Sequence, residues 1–155
     1  MDIAQVTALI AVLATAVVFG TDAFCALVQR PALARVDDRS LVDVMGYVHL
    51  YGDRRMPVPG AVSIIASAAT AAIAAATGRW TASAAAVTAL GLLLLWIVLY
   101  VLVSAPINRQ LTAAAQSTQT PANARALQHN WDRIITVRAT LQGLAVVALC
   151  IALVA

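Results

Sequence analysis

Asp22 and Arg138 are the two ionisable side chains that fall well inside long apolar blocks of this sequence. Charges so placed either do chemistry or hold helices together. Asp22 lies a little before the end of the first block and Arg138 a similar way past the start of the last. Both side chains are therefore expected roughly 10 Å below the same surface. A carboxylate and a guanidinium at matched depth neutralise and hydrogen-bond one another, so an Asp22–Arg138 ion pair is predicted. Whether that pair fixes helix register or serves a reaction is left open at this point.

Other polar groups gather at the same level. Trp131, Ile135, Arg138 and Gln142 recur at helical spacing, which turns Gln142 inward beside Arg138. Ser63, Ser67 and Tyr100 are expected at similar depth, although serines in such helices commonly serve packing and an inward tyrosine often just bonds a carbonyl. His49 precedes Asp53 by four residues and His129 precedes Asp132 by three. Imidazole titrates near neutrality, which suits a general base or proton shuttle at the rim of a pocket. His49, His129 and Asp132 also form the alternative metal set, for iron, copper or zinc. No His-x-x-x-His or Glu-x-x-His spacing supports that set, and interfacial histidines are commonly just solvated.

The elements that must position these groups follow from composition. Of 155 residues, 62% are hydrophobic and only 11% charged, against about 25% charged in ordinary soluble domains. The mean hydropathy is +0.87. The apolar residues come in blocks, and crossing about 30 Å of hydrocarbon takes roughly 20 helical residues. Four spans are predicted, at about 3–28, 58–77, 82–104 and 131–154, within one transmembrane domain covering 1–155. The fold class is all-α, an integral membrane four-helix bundle. Short amphipathic helices are expected in the first connection, around Ser40–His49, and in the third, after Thr120-Pro121-Ala122-Asn123. Pro57 and Pro59 suit the start of the second span, and Pro106 is expected to end the third.

The net charge of +3 is carried by arginines beside the apolar blocks, which explains it without any nucleic-acid partner. The connection from Pro31 to Met56 and that from Ile107 to Asn130 hold most of them, and the opposite side has Arg79 alone. Arginine enrichment places both long connections in the cytoplasm and both termini outside. With no Lys and no Glu, and much Ala and Val, the composition fits a GC-rich bacterial genome and hence a bacterial inner membrane. Cys25 and Cys150 fall near opposite ends of the bundle, so they are read as unpaired apolar fillers.

The segment Ser104-Ala105-Pro106-Ile107-Asn108-Arg109-Gln110-Leu111, followed by Trp131 and Arg138 ahead of a final apolar helix, resembles the anthrone oxygenase-like family of small membrane proteins. Gly20, Phe24 and Pro31 resemble its pattern too, as does the four-span layout. The resemblance implies oxidation of anthrones to anthraquinones with dioxygen, and singles out Asn108, Trp131 and Arg138. Where relatives often carry a histidine four residues after the tryptophan, this chain has Ile135. His49 or His129 would then be the base, Arg138 and Gln142 the oxyanion holders, and Trp131 the stacking surface. Asp22, Tyr100, Asn108 and Ser63 complete the expected pocket.

An anthrone is an acidic carbon acid whose anion itself reduces dioxygen, so no cofactor is required, while an unassigned metal stays open. No flavin or dinucleotide fingerprint is visible. The expected partners are a small apolar substrate and the bilayer, with homo-oligomerisation open. A non-catalytic protein binding a hydrophobic ligand, metal or haem, or a structural subunit, is the alternative. A transporter is disfavoured, because no inverted repeat is visible.

Overall fold

Small residues on the inside and large ones on the outside organise the first long helix of this chain. The computed structural model describes residues 1–155 and contains helices and no strands. Its elements are α1 (Ile3–Leu33), α2 (Asp38–Arg55), α3 (Pro57–Ala76), α4 (Trp80–Gln116) and α5 (Ala124–Val154). All but α2 are long and apolar enough to cross a membrane. α1 buries Ala4, Ala8, Ala11, Thr15 and Val18 and turns Ile3, Ile10, Leu13 and Val17 outward. In lipid the hydrophobic effect does not favour burying the larger side chains; close packing of small ones draws the helices together. The protein is an integral membrane helical bundle.

The spans form a ring in which α1 packs on α3 and α5, and α4 packs on the same two. On α3, Ser63 and Ser67 donate back to the Gly60 and Ser63 carbonyls, and Thr70 reaches the Thr7 hydroxyl of α1 at 3.0 Å. α1 begins with a capping box in which Asp2 and Gln5 satisfy one another's backbone N–H groups. Asp2 also meets Arg79 at 2.5 Å, and Gln5 reaches the Leu153 carbonyl. Both termini and the α3–α4 turn therefore share one end, and both long connections share the other.

Two spans run further than their sequence suggests. α1 continues past residue 28 to Leu33, and α4 continues past residue 104 to Gln116 instead of stopping at Pro106. A π-helical turn precedes each internal proline: Cys25–Gln29 before Pro31, and Tyr100–Ser104 before Pro106. The wider turn, with Arg30 N–H reaching Cys25 O and Ala105 N–H reaching Tyr100 O, relieves the clash a proline ring makes with the preceding turn. The helix expected after Thr120–Asn123 runs into the fourth span, and the two form one unbroken helix, Ala124–Val154.

The α4 extension is the platform for α2, which is longer than the Ser40–His49 expectation. Leu41, Val42 and Met45 of α2 pack with Ile107, Leu111, Ala114 and Ala115 of α4, and with Trp131 and Ile135 of α5. Gly46 makes this possible: a Cβ there would collide with Ala115 and lie 2.6 Å from the Leu111 carbonyl oxygen. Thr112 donates to the Gly46 carbonyl at 3.0 Å. Gly46→Ala is expected to destabilise the protein by about 1–3 kcal/mol, read as a lower thermal midpoint. An unchanged midpoint would show that α2 is not held by this contact.

Candidate functional site

The cluster under α2 is separated from a second apolar cluster in mid-bundle, built from Ala11, Val18, Ala66, Leu93, Ala145 and Leu149. Between the two lies a layer of polar side chains drawn from α1, α2, α4 and α5. Arg138 is its centre. Its Nη2 donates to Asp22 Oδ1 at 3.1 Å and stands 2.9 Å from Oδ2 in the ion pair, and its Nη1 donates to Ser104 Oγ at 2.8 Å. Gln142 Nε2 donates to Asp22 Oδ2 at 2.9 Å. The guanidinium also stands 5.4 Å from the centroid of the Tyr100 ring, a cation–π distance. The predicted ion pair is present and buried, with each side chain 7% exposed.

A second carboxylate completes the layer. Asp53 Oδ1 accepts from the Tyr100 hydroxyl at 2.7 Å and from Asn108 Nδ2 at 2.9 Å. One turn earlier on α2, His49 is buried with its ring tilted 54° against Trp131, centroids 5.2 Å apart. Burial pushes the His49 pKa down to about 4; nearby Asp53 opposes that shift and Arg138 adds to it. His49 is therefore a neutral imidazole near pH 7. The π turn in α4 matters here, because it carries Tyr100 at one end and Ser104 at the other. One widened turn thus serves both carboxylates, through Asp53 directly and through Arg138 to Asp22.

These groups surround a cavity of about 470 Å³ whose lining includes Asp22, His49, Asp53, Tyr100, Asn108 and Arg138. Apolar side chains make up most of the remaining wall. Several buried polar atoms of lining residues have no hydrogen-bond partner: His49 Nε2, Asn108 Oδ1, Trp131 Nε1 and Arg138 Nε. The Trp96 indole N–H approaches Asp22 without closing a hydrogen bond. Buried polar groups are rarely left unpaired, so this set marks a place where a partner belongs.

Of the residues expected from sequence, Asp22, His49, Tyr100, Asn108, Trp131 and Arg138 converge on the cavity. Three do not. Ser63 is bonded to the Gly60 carbonyl in the helix packing, off the cavity wall. Gln142 lies behind Asp22, with one amide N–H engaged there. His129 is exposed and sits on a different pocket with Arg30, Gln128 and Asp132. His49 therefore does not converge with His129 and Asp132, and no group of three or more His, Cys, Asp or Glu side chains is placed to hold a metal ion. Ser104 and Trp96 are residues of this layer that the sequence did not single out, and Asp53, noted there only as the acid after His49, gains Tyr100 and Asn108 as partners.

No curated protein and no solved structure matches the chain. The family model described as anthrone oxygenase matches residues 48–148, which contain every site residue named above except Asp22. That stretch is well over half of the chain, and the protein belongs to the anthrone oxygenase family.

Proposed function

We propose that the protein oxidises a flat, anthrone-type ketone to the corresponding quinone with dioxygen. The observation that carries this reading is the apolar cavity with unpartnered polar atoms of His49, Asn108, Trp131 and Arg138 at its inner end. In the proposed reaction one ring CH₂ becomes C=O, one oxygen atom of O₂ enters the product and the other leaves as water. His49 takes the first proton from the CH₂ carbon. The electron pair delocalises onto the ketone oxygen, where the free Nε–H of Arg138 stabilises it. Trp131 offers a surface on which a planar ring system stacks.

The carbanion is electron-rich and passes one electron to dioxygen; the radical pair closes a C–O bond to give a peroxide. The His49 imidazolium returns its proton to the distal oxygen. His49, neutral again, takes the second proton from the same carbon as the O–O bond breaks; the quinone carbonyl forms and the departing hydroxide collects that proton to leave as water. The substrate supplies all four electrons, so the chain needs to provide only a base, an oxyanion partner and a dry pocket. By the positive-inside rule the arginine-rich end, with this pocket, faces the cytoplasm of a bacterial cell.

Purified protein in vesicles, given anthrone, should take up one O₂ per quinone formed, and ¹⁸O₂ should leave one labelled atom in the product. Tight anthrone binding without oxygen uptake would favour a carrier instead. The pH dependence follows from His49. Its folded pKa of about 4 lies below the ordinary histidine value near 6.5, so kcat/KM should hold through pH 6.5 and fall only toward pH 4. The same depression means that stability is fully present above pH 6.5 and is lost as pH falls toward 4. An acid limb near pH 6.5 would exclude the buried His49 as the base.

A further inference from the structure

The cavity wall reaches the outer surface of the bundle, at Thr21 of α1 and Val48 of α2 and most extensively along α3 and α4. Pro57, Ala61 and Ile65 recur every four residues along α3, and Ile97 and Val101 do the same along the neighbouring, antiparallel stretch of α4. All five line the cavity, yet Ile65 is 68% and Val101 55% exposed. The two stripes flank a gap between helices within their membrane-crossing stretches, and none of these five residues carries a charge. Gly60 lies just inside the gap, facing Trp96; a Cβ there would come within 3.2 Å of the indole ring. The charged groups Asp22, Arg138 and Asp53 and the neutral imidazole of His49 line the same cavity.

In a bilayer such a rim meets acyl chains. We propose that the cavity is loaded sideways from the hydrocarbon through the gap between α3 and α4. The ligand is a flat aromatic molecule, dissolved in the membrane, with a polar edge that reaches Arg138 and His49 while its apolar body crosses the gap. The route rests on the lining and exposure of α3 and α4; the ligand's class rests on the oxidation proposed above. Lipid-borne loading suits that chemistry, because a reactive carbanion formed in the cavity then has no aqueous column beside its apolar half.

The route can be read without turnover. In a Trp80→Phe background the remaining tryptophans are Trp96 and Trp131, 7% and 5% exposed. Vesicles containing lipids brominated on the acyl chains should quench Trp96 through the gap, relative to vesicles of the same lipids without bromine. Ala61→Phe, a change at an exposed rim position, should abolish most of the quenching. Leu144→Phe, at a lipid-facing position on α5 away from the gap, should not. Circular dichroism checks that both variants are folded.

With anthrone as substrate, Ala61→Phe should raise KM about tenfold while kcat stays within about twofold. Absent quenching, or quenching indifferent to Ala61→Phe, would overturn lateral loading, as would an unchanged KM where oxygen uptake is measurable. Quenching that responds to Ala61→Phe in a protein that consumes no oxygen with anthrone would leave the route standing and remove the oxidation.

Discussion

Arg138→Leu is expected to be the most damaging single substitution in the bundle. It leaves the Asp22 carboxylate buried among apolar helices with Gln142 as its remaining partner, and it also strips the Ser104 hydroxyl of its donor. Removing one member of a buried ion pair costs about 3–5 kcal/mol, most of it the penalty of the stranded charge. The thermal midpoint in detergent and the yield of folded protein should both fall steeply. Asp22→Asn/Arg138→Gln removes both charges at similar volume and should recover most of that stability. Its turnover should stay low, because the Arg138 Nε–H proposed for the oxyanion is gone. Full stability of Arg138→Leu would show that Asp22 finds its neutralisation elsewhere.

That pair was legible before any coordinates, since depth in a membrane helix follows from counting residues from the interface. So were the spans, the shared end of the long connections and the inward stripe through Trp131 and Arg138. The partners of Asp53 were not. The sequence sets Asp53 four residues after His49, at the rim, and gives no sign that Tyr100 and Asn108 would bond it. Asp53 reaches the site only because α2 folds back over the α4 extension, and that extension exists only because a π turn lets the helix pass Pro106. A proline read as a stop signal concealed the platform, and with it the residues the platform positions.

The two histidines make the same point at the level of one helix face. Each precedes an aspartate by about one turn, and local spacing gives no reason to prefer either. His49 is buried because α2 presses that face against Trp131; His129 belongs to the outer face of α5. Ser104 stood inside the family-like segment without an evident role, and its role is to orient Arg138. Ile135 stands one turn after Trp131 on the same stripe of α5. That position is wholly buried in the apolar cluster under α2, while His49 brings an imidazole to the cavity from another helix.

The second large effect is on the chemical step and turns on the charge of His49. Its replacement by phenylalanine keeps a ring against Trp131 but removes the proposed base, and turnover should fall by about 10²–10⁴-fold with little change in thermal midpoint. The neighbours then supply a test that a packing role could not pass. Asp53 holds the His49 pKa up and Arg138 holds it down, with burial setting the level near 4. Asp53→Asn should therefore move the acid limb of kcat/KM to lower pH, and slow the reaction, because the imidazolium formed at proton transfer loses its nearby carboxylate. Asp22→Asn/Arg138→Gln should move the limb the other way. Opposite shifts from two sites on either side of one imidazole would identify His49 as the titrating base. A limb that stays fixed in both variants would assign the proton to a different group and leave His49 as a wall of the cavity.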